Sequence, residues 1–332
     1  MKPAEIKKIL LVRFSSIGDI VLTTPVIRCL KTQLPDAELH YLTKGRYSSI
    51  LAGNPNLAKI WQFEDNFKEL LPLLRSEKFD FIVDLHKNIR SRYILLNLWK
   101  PYGTFSKLDF KKWMIVHLRI DRLPRVHIVD RYFDAVSHLG IVNDRKGLDY
   151  FIPAPEEVDL SVLPETFRQG YLAFVIGGKH TTKILPKEMV ISICSHLSKP
   201  VILLGGKEDE ELGRRIVETT GATVFNGCNR FSLNQSASLI RQADKVITND
   251  TGLMHIAAAF GKTILSVWGN TIPEFGMYPY LEGKEMAVSD IFEVKGLSCR
   301  PCSKLGFEKC PKGHFRCMRD QDLNAMIQSL NC

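Results

Sequence analysis

The chain has 332 residues, which is enough for about two domains that each bury a core. Hydrophobic residues make up 45% and charged residues 24%, which excludes disordered, collagen-like and coiled-coil proteins. The net charge of +9 is concentrated in residues 87–131, with a local +8, and in residues 295–319, with a local +6. Such clusters favour a polyanionic partner, although a solvated basic face is an equally common explanation.

The N-terminal residues and the cysteines suggest a compartment. The apolar stretch behind the basic Met1–Lys8 is too short for a secretory signal, and no apolar run approaches the ~20 residues of a membrane span. The eight cysteines do not resemble a secreted disulfide framework. We therefore expect a cytoplasmic protein.

Short apolar runs alternate with helical patterns in the first half of the chain. This alternation is typical of parallel sheets built from βαβ units. Strands are predicted at Lys8–Phe14, Glu38–Leu42, Ile60–Phe63 and Phe79–Leu85, and helices at Ile20–Leu34, Phe67–Glu77 and His127–Leu139. A Pro-containing linker at Asn143–Pro164 then places a domain boundary near residue 155, with domains at 1–155 and 156–332.

The second half repeats the alternation. Strands are predicted at Tyr171–Ile176, Val201–Leu204, Lys245–Thr248 and Thr263–Trp268, and helices at Lys187–Leu197, Asp209–Thr220, Leu233–Ala243 and Gly252–Phe260. Several strands end in Gly, Asn or Asp, and the carboxyl edge of an open α/β sheet is where such folds bind ligands. We expect two Rossmann-like α/β domains whose sheets face each other across a cleft.

Two motifs stand at predicted strand ends. Asp19 follows Gly18 after the first strand, where it is either a helix N-cap or a carboxylate that accepts a proton from a substrate hydroxyl. Asp250, Thr251 and Gly252 open a helix after another strand, and His255 lies one turn further on. Free amides at such a helix start suit a diphosphate, although capping and a core histidine are the alternatives.

Two further loops suit parts of a nucleotide. Thr181, Thr182 and Lys183 follow the Gly177-Gly178 pair with two hydroxyls and one cation for phosphate oxygens. Acidic residues after the strand Val201–Leu204 could hold ribose hydroxyls or could simply complement a helix dipole. The first βα turn lacks the G-x-G-x-x-G motif, which argues against an enzyme with a nicotinamide or flavin cofactor. Gly261-Lys262-Thr263 is not part of a Walker A loop.

A cysteine-rich segment at 299–317 holds four thiols, and Zn²⁺ binds tetrahedrally to such a set. A structural zinc ion is one interpretation, and free thiols or labile disulfides are the other. The four residues are Cys299, Cys302, Cys310 and Cys317.

In this order, the Gly-Asp turn, the Thr-Thr-Lys loop and the Asp-Thr-Gly-x-x-His helix start resemble glycosyltransferase family 9, the ADP-heptose:lipopolysaccharide heptosyltransferases. The segment ending in Cys310-Pro311-Lys312-Gly313-His314 looks like one found in heptosyltransferase II-type members. The resemblance covers about residues 7–320. It implies a GT-B architecture and an inverting transfer of heptose from ADP-L-glycero-β-D-manno-heptose to the lipopolysaccharide inner core, with no cofactor or metal required.

The resemblance also implies roles for individual residues. Asp19 matches the general base of an N-terminal acceptor-binding domain. The C-terminal domain would bind the nucleotide sugar through Thr181, Thr182, Lys183, Asp250, Thr251, Gly252 and His255, with Glu211 chosen over Asp209 for the ribose. The amphipathic stretch with Lys111, Lys112 and Arg119 suits an anionic membrane, so we expect peripheral binding to the cytoplasmic face of the inner membrane. An ordinary surface helix is the alternative there.

The sequence is also compatible with other functions. Ile184-Leu185-Pro186 stands where the family often has Trp-Pro, so another nucleotide sugar or glycan acceptor is an alternative. A basic nucleic-acid-binding protein is an alternative of a different class, but no recognisable RNA- or DNA-binding motif supports it, and we expect no nucleic-acid partner. A scaffold that no longer transfers sugar is disfavoured by the intact Asp19, Lys183 and Asp250.

Overall fold

A computed structural model describes residues 5–332, which form two compact units. The first unit contains the chain up to Lys107 together with Val126–Pro153, and the second contains Leu108–Arg125 and Ala154–Cys332. Within the described residues, no helix has the length and apolar character needed to cross a bilayer.

The first unit is built on a five-stranded parallel sheet in the order β3-β2-β1-β4-β5. Its strands are β1 (Lys8–Val12), β2 (Glu38–Lys44), β3 (Lys59–Phe63), β4 (Phe81–Asp84) and β5 (Tyr102–Thr104), and its helices are α1 (Ile17–Val21), α2 (Thr24–Gln33), α3 (Phe67–Ser76), α4 (Ile89–Leu98) and α6 (Ile128–Tyr132). The central strand β1 is apolar from Ile9 to Val12 and fully buried, because helices pack on both faces of a parallel sheet.

The second unit is built on a six-stranded parallel sheet in the order β11-β10-β9-β6-β7-β8. Its strands are β6 (Leu172–Val175), β7 (Val201–Leu204), β8 (Val224–Asn226), β9 (Lys245–Asn249), β10 (Thr263–Trp268) and β11 (Ser289–Glu293). Its helices are α5 (Asp109–Leu118), α7 (Lys187–Ser195), α8 (Glu210–Thr220), α9 (Leu233–Gln242), α10 (Gly252–Ala259), α11 (Arg316–Arg319) and α12 (Leu323–Asn331).

The predicted α/β class with two parallel sheets is confirmed, whereas several element bounds differ. The predicted helix Ile20–Leu34 is two helices, α1 and α2, and the second begins at Thr24 with Pro25 in its first turn. The predicted helix His127–Leu139 is α-helical only over Ile128–Tyr132 and continues as a 3₁₀ helix. Short elements with weak periodicity, such as β5 and β8, were not predicted.

The chain passes from the first unit to the second at residues 153–154, close to the predicted boundary. The segment Leu108–Arg125, which the predicted domain 1–155 includes, belongs instead to the second unit. The reason is apolar packing, because Ile115 of α5 is buried in a cluster with Leu123 and Phe275.

Candidate functional site

Each sheet has one switch point. This is a pair of neighbouring strands from which the chain continues toward opposite edges of the sheet. In the first unit this point lies between β1 and β4, and in the second it lies between β6 and β9. Open α/β sheets bind ligands at the carboxyl ends of such strands. Asp19 follows β1, whereas Lys183 and Asp250 follow β6 and β9.

The carboxylate of Asp19 is held by two residues of its own unit. Its Oδ1 atom lies 2.6 Å from Nη2 of Arg13. Its Oδ2 atom accepts hydrogen bonds from the amide and the hydroxyl of Ser16 at 3.1 and 2.8 Å. Ser16 is the N-cap of α1, so the two residues form a capping box. Asp19 therefore has a structural role, and 22% of its side chain still remains exposed.

The electrostatic surroundings keep Asp19 ionised at neutral pH. Burial alone would raise its pKa, but the charge of Arg13 and the hydrogen bonds from Ser16 outweigh burial and hold the pKa below its ordinary value. Arg13 is itself buried and donates to the carbonyls of Ser15 and Leu85 at 2.7 and 2.6 Å. The guanidinium therefore fixes the carboxylate relative to the ends of both switch-point strands.

The end of β4 adds a histidine to this region. Asp84 shapes the turn, because its Oδ1 atom accepts a hydrogen bond from the amide of His86 at 2.9 Å. Burial, together with the positive charges of Arg13 and Lys107, lowers the pKa of His86 to about 3, so its ring is neutral at pH 7. The sequence motifs did not indicate Arg13 or His86, although Arg13 lies next to the end of one predicted strand and His86 directly follows another.

In the second unit, one carboxylate joins three loops. Lys183 Nζ lies 2.5 Å from Oδ2 of Asp250, and the hydroxyl of Thr271 donates to the same oxygen at 2.9 Å. These residues follow the neighbouring strands β6, β9 and β10. The side chains of Lys183 and Asp250 are only 17% and 11% exposed. The structure thus brings together two of the predicted donor-site residues and adds Thr271.

Helix α10 begins at Gly252, two residues after Asp250, and its first turn has no side-chain cap. Thr251 is its N-cap residue, but the Thr251 side chain accepts no hydrogen bond from the helix amides. Its hydroxyl lies instead 3.4 Å from that of Thr248. Gly252 is the first helical residue, and His255 is buried one turn further on. Helix amides without a side-chain cap form a site suited to an anion.

The two threonines of the Thr-Thr-Lys loop differ in their surroundings. Thr181 is exposed, whereas Thr182 is buried. The hydroxyl of Thr182 donates to the carbonyl of Phe307 at 3.0 Å and accepts from its amide at 2.8 Å. The Thr182 side chain therefore attaches this loop to the cysteine-rich segment.

The acidic residues after β7 are divided between the surface and the interior. Glu211 lies on the exposed side of α8 and pairs with Arg214 and Arg215 at 2.7 Å, which lowers the Glu211 pKa to about 2. Asp209 is buried, and burial raises its pKa. A Cβ atom at Gly177 would come within 2.1 Å of the Asp209 carboxylate, so this close approach requires glycine. Asp209, and not Glu211, therefore contacts the end of β6.

The loop 269–271 after β10 was not predicted as part of a site. Arg300 donates to the carbonyls of Gly269 and Thr271 at 2.6 and 2.8 Å and pairs with Glu293 at 2.7 Å. Asn270 between them is 1% exposed, and neither polar atom of its side-chain amide has a hydrogen-bond partner among the described residues. An unpaired buried amide is costly, which marks Asn270 as a candidate contact for a ligand or a water molecule.

The structure does not support the predicted zinc site at Cys299, Cys302, Cys310 and Cys317. All four are free thiols. The Sγ atom of Cys299 lies 3.7 Å from Nε2 of His314, which is hydrogen-bonding distance. Within residues 5–332 no group of three or more His, Cys, Asp or Glu side chains is arranged to hold a metal ion. A tetrahedral zinc site needs four such ligands converging on one point.

The predicted acceptor and membrane residues lie on α5 or directly after it. Lys111 is exposed. Lys112 Nζ lies 5.4 Å from the centre of the Phe275 ring, and Arg119 donates to the carbonyl of Pro301 at 2.6 Å. Lys112 and Arg119 therefore contact the rest of the second unit, whereas Lys111 faces solvent.

Comparison with known proteins identifies the family. The model for glycosyltransferase family 9 (heptosyltransferase) matches residues 68–302, which is more than half of the chain. The chain belongs to glycosyltransferase family 9. It is accordingly a glycosyltransferase, as the resemblance implies.

Individual relatives agree with this membership. The chain is 22% identical to lipopolysaccharide heptosyltransferase 1 of Campylobacter coli over 292 residues, or 80% of this family 9 chain and 84% of the relative. The crystal structure of a family 9 glycosyl transferase from Veillonella parvula has a TM-score of 0.70 at 23% identity and covers 88% of this chain and 87% of that chain. The E. coli ADP-heptose lps heptosyltransferase II structure has a TM-score of 0.67 at 20% identity and covers 98% of this chain and 100% of that chain. These likenesses confirm the predicted GT-B fold class.

Proposed function

We propose that this family 9 glycosyltransferase moves heptose from ADP-heptose to the inner core of lipopolysaccharide, with inversion at the anomeric carbon. The observation that carries the proposal is the convergence of Lys183, Thr271 and Asp250 beside the uncapped first turn of α10. Relatives named lipopolysaccharide heptosyltransferase support heptose as the sugar.

The second unit is the donor-binding part of this proposal. As the bond between the anomeric carbon and the diphosphate oxygen breaks, negative charge develops on the departing ADP. Lys183 and the amides at the start of α10 stabilise that charge because they are fixed before the reaction begins. Asp250 holds the ammonium of Lys183 in place. Neither contact requires a cofactor.

The first unit is the acceptor-binding part and contributes Asp19 as the general base. The carboxylate takes the proton of an acceptor hydroxyl while the hydroxyl oxygen forms its bond to the anomeric carbon and ADP leaves. Two observations support this role: Asp19 has a lowered pKa, so it is ionised, and part of its side chain remains exposed.

Peripheral binding to the cytoplasmic face of the inner membrane completes the proposal. Helix α5 presents Phe110, Trp113 and Leu118 at 70%, 46% and 51% exposure, next to the exposed Lys111. The rings of Phe110 and Trp113 stack with centroids 6.0 Å apart. Exposed aromatic rings beside basic residues are typical of helices that lie in a membrane interface.

A transfer assay tests the proposal directly. The purified enzyme is incubated with ADP-heptose and with lipopolysaccharide that lacks its core heptose, and ADP release and the mass of the acceptor are followed. We expect one added heptose and an anomeric configuration, read by NMR, opposite to that of the donor. Transfer from UDP- or GDP-sugars but not from ADP-heptose would contradict the assignment of the donor.

A matched pair of lysine variants tests the donor site. Lys183→Ala removes a mostly buried ion pair with Asp250, and Lys199→Ala removes an exposed ion pair with Asp244 in the same unit. We expect only Lys183→Ala to weaken ADP binding in calorimetry. Equal ADP affinity in both variants would exclude Lys183 from the donor site.

A further inference from the structure

A surface of the first unit combines exposed apolar side chains with unpaired positive charge. It is formed by α4 and by the residues that lead from α4 into β5. Five large apolar side chains there are strongly exposed, and we call them the α4 surface: Ile89 at 88%, Tyr93 at 45%, Leu96 at 63%, Trp99 at 86% and Tyr102 at 53%.

Helical spacing explains why three of these residues share one face. Ile89, Tyr93 and Leu96 are four and three residues apart, which places them in one row along α4. The opposite face of the helix is buried in the unit, through Ser91, Ile94, Leu95 and Leu98. Helix α4 is therefore apolar on both sides, and core packing accounts for only one of them.

Trp99 has an unusual position at the end of this row. It is the C-cap residue of α4, with φ 51° and ψ 50°, a left-handed conformation in which glycine is the usual residue. Its ring is nevertheless 86% exposed. Together with Leu96 and Tyr102 it lines a shallow groove of about 360 Å³ that Arg92 and Lys100 also border. The fold itself requires neither a large ring here nor its exposure.

The chain segment that contains the α4 surface carries charge of a single sign. Five Lys and Arg residues and no Asp or Glu lie between Asp84 and Asp109. Arg90 pairs with Asp65 at 3.2 Å. Arg92 and Lys100 form no ion pair within residues 5–332, and they border the apolar groove. The groove is thus lined by apolar side chains together with two cationic ones.

We propose that the α4 surface docks the protein on an anionic lipid bilayer. Leu96 and Trp99 enter the headgroup region, and Arg92 and Lys100 contact lipid phosphates. A second copy of the chain fits less well, because a two-fold interface on this face would bring the same unpaired cations of both copies together without acids to match them. The choice of partner rests on the proposed membrane association, but vesicle binding is measured without reference to sugar transfer.

Vesicle cosedimentation of the full chain tests the surface. The probes are vesicles of phosphatidylglycerol with phosphatidylethanolamine, and vesicles of phosphatidylcholine alone. We expect the double variant Leu96→Ser/Trp99→Ser to bind the anionic vesicles at least about tenfold more weakly. Arg92→Gln/Lys100→Gln is expected to lose about 25-fold on anionic vesicles and little on phosphatidylcholine. The control Val142→Ser/Met286→Ser removes side chains that are 67% and 92% exposed elsewhere and is expected to bind normally.

A variant of α5 distinguishes the α4 surface from the exposed side of α5 as the membrane contact. Binding that survives both α4 variants, or that is lost only in Lys111→Gln/Trp113→Ser, overturns the α4 surface and leaves α5 as the membrane contact. If the unmodified protein binds no vesicle, the membrane proposal fails, and heptose transfer to a water-soluble core fragment shows whether the transferase proposal stands. A dimer in sedimentation velocity that Trp99→Ser dissociates, without vesicle binding, assigns the face to a second copy and also overturns the proposal.

Discussion

Replacing Asp19 by Asn separates the two roles that the structure assigns to this side chain. The substitution removes the charge paired with Arg13 at 2.6 Å and turns one accepting oxygen into a donor. Breaking a buried ion pair costs about 3–5 kcal/mol, and a charged hydrogen bond contributes about 1.5–3 kcal/mol. Because the Asp19 side chain is 22% exposed, water compensates in part, and we expect a loss of about 2–3 kcal/mol. In the melting temperature this corresponds to roughly 5–10 °C.

The effect on turnover is expected to be much larger than the effect on folding. Loss of a general base lowers kcat by about 10²–10⁴-fold, measured at a temperature where calorimetry shows the variant folded. The double variant Arg13→Gln/Asp19→Asn also removes the guanidinium, so no buried positive charge is left without its negative partner. We expect this variant to regain part of the lost stability and none of the lost turnover.

Asp144→Asn is the matched control. Asp144 pairs with Arg28 at 2.8 Å, and its side chain is 22% exposed, as that of Asp19 is. We expect a smaller fall in melting temperature, because Arg28 keeps its ion pair with Asp149, and nearly normal kcat. If the double variant recovers turnover, or if Asp19→Asn lowers kcat only as much as the control does, Asp19 is a helix cap and the base must be sought elsewhere.

Four further outcomes are expected. Lys183→Ala should raise the Kd for ADP by about tenfold or more in calorimetry, because it removes a charge-assisted contact, and Lys199→Ala should leave the Kd unchanged. Because the folded-state pKa of Asp19 is lowered, its contribution to stability is present above about pH 4 and is lost as the pH falls through the folded pKa, so Asp19→Asn should reduce the acid dependence of the melting temperature. Arg13→Gln should move the acid limb of the kcat/KM profile to higher pH, since it removes the charge that lowers the Asp19 pKa, and an unmoved limb would show that another group titrates. Thr271→Val, which removes a hydrogen bond to Asp250, should weaken ADP binding severalfold, and unchanged affinity would exclude Thr271 from the donor site.

Local sequence patterns were sufficient to predict the class of fold and the loops that carry the candidate site residues. The apolar runs that predict Val201–Leu204 and Thr263–Trp268 are strands with those same bounds, because a strand buried on both faces is nearly continuously apolar. Polar residues directly after such strands lie at the carboxyl edge of a parallel sheet by geometry alone. Lys183 and Asp250 could therefore be placed at the same edge of the second sheet before any contact was known.

The partners of these residues could not be predicted, because they come from distant parts of the chain. The hydroxyl of Thr182 bonds to Phe307, which is 125 residues away, so a predicted ligand contact is a loop anchor. The four cysteines are close in sequence, yet among the described residues no three His, Cys, Asp or Glu side chains are arranged to hold a metal ion, since ligand geometry depends on the backbone around them. Helix α5 belongs to the second unit because of Phe275.

The solvent exposure of individual side chains could not be predicted from the sequence pattern either. Ile89, Leu96 and Trp99 are apolar residues of the kind that a periodicity argument assigns to a core, yet all three are exposed. The row Ile94, Leu95 and Leu98 already fills the core side of α4. Short-range spacing determines which residues share a face of a helix, and this could be predicted from the sequence. The packing of distant elements determines which face is covered, and this was decided only by the tertiary structure.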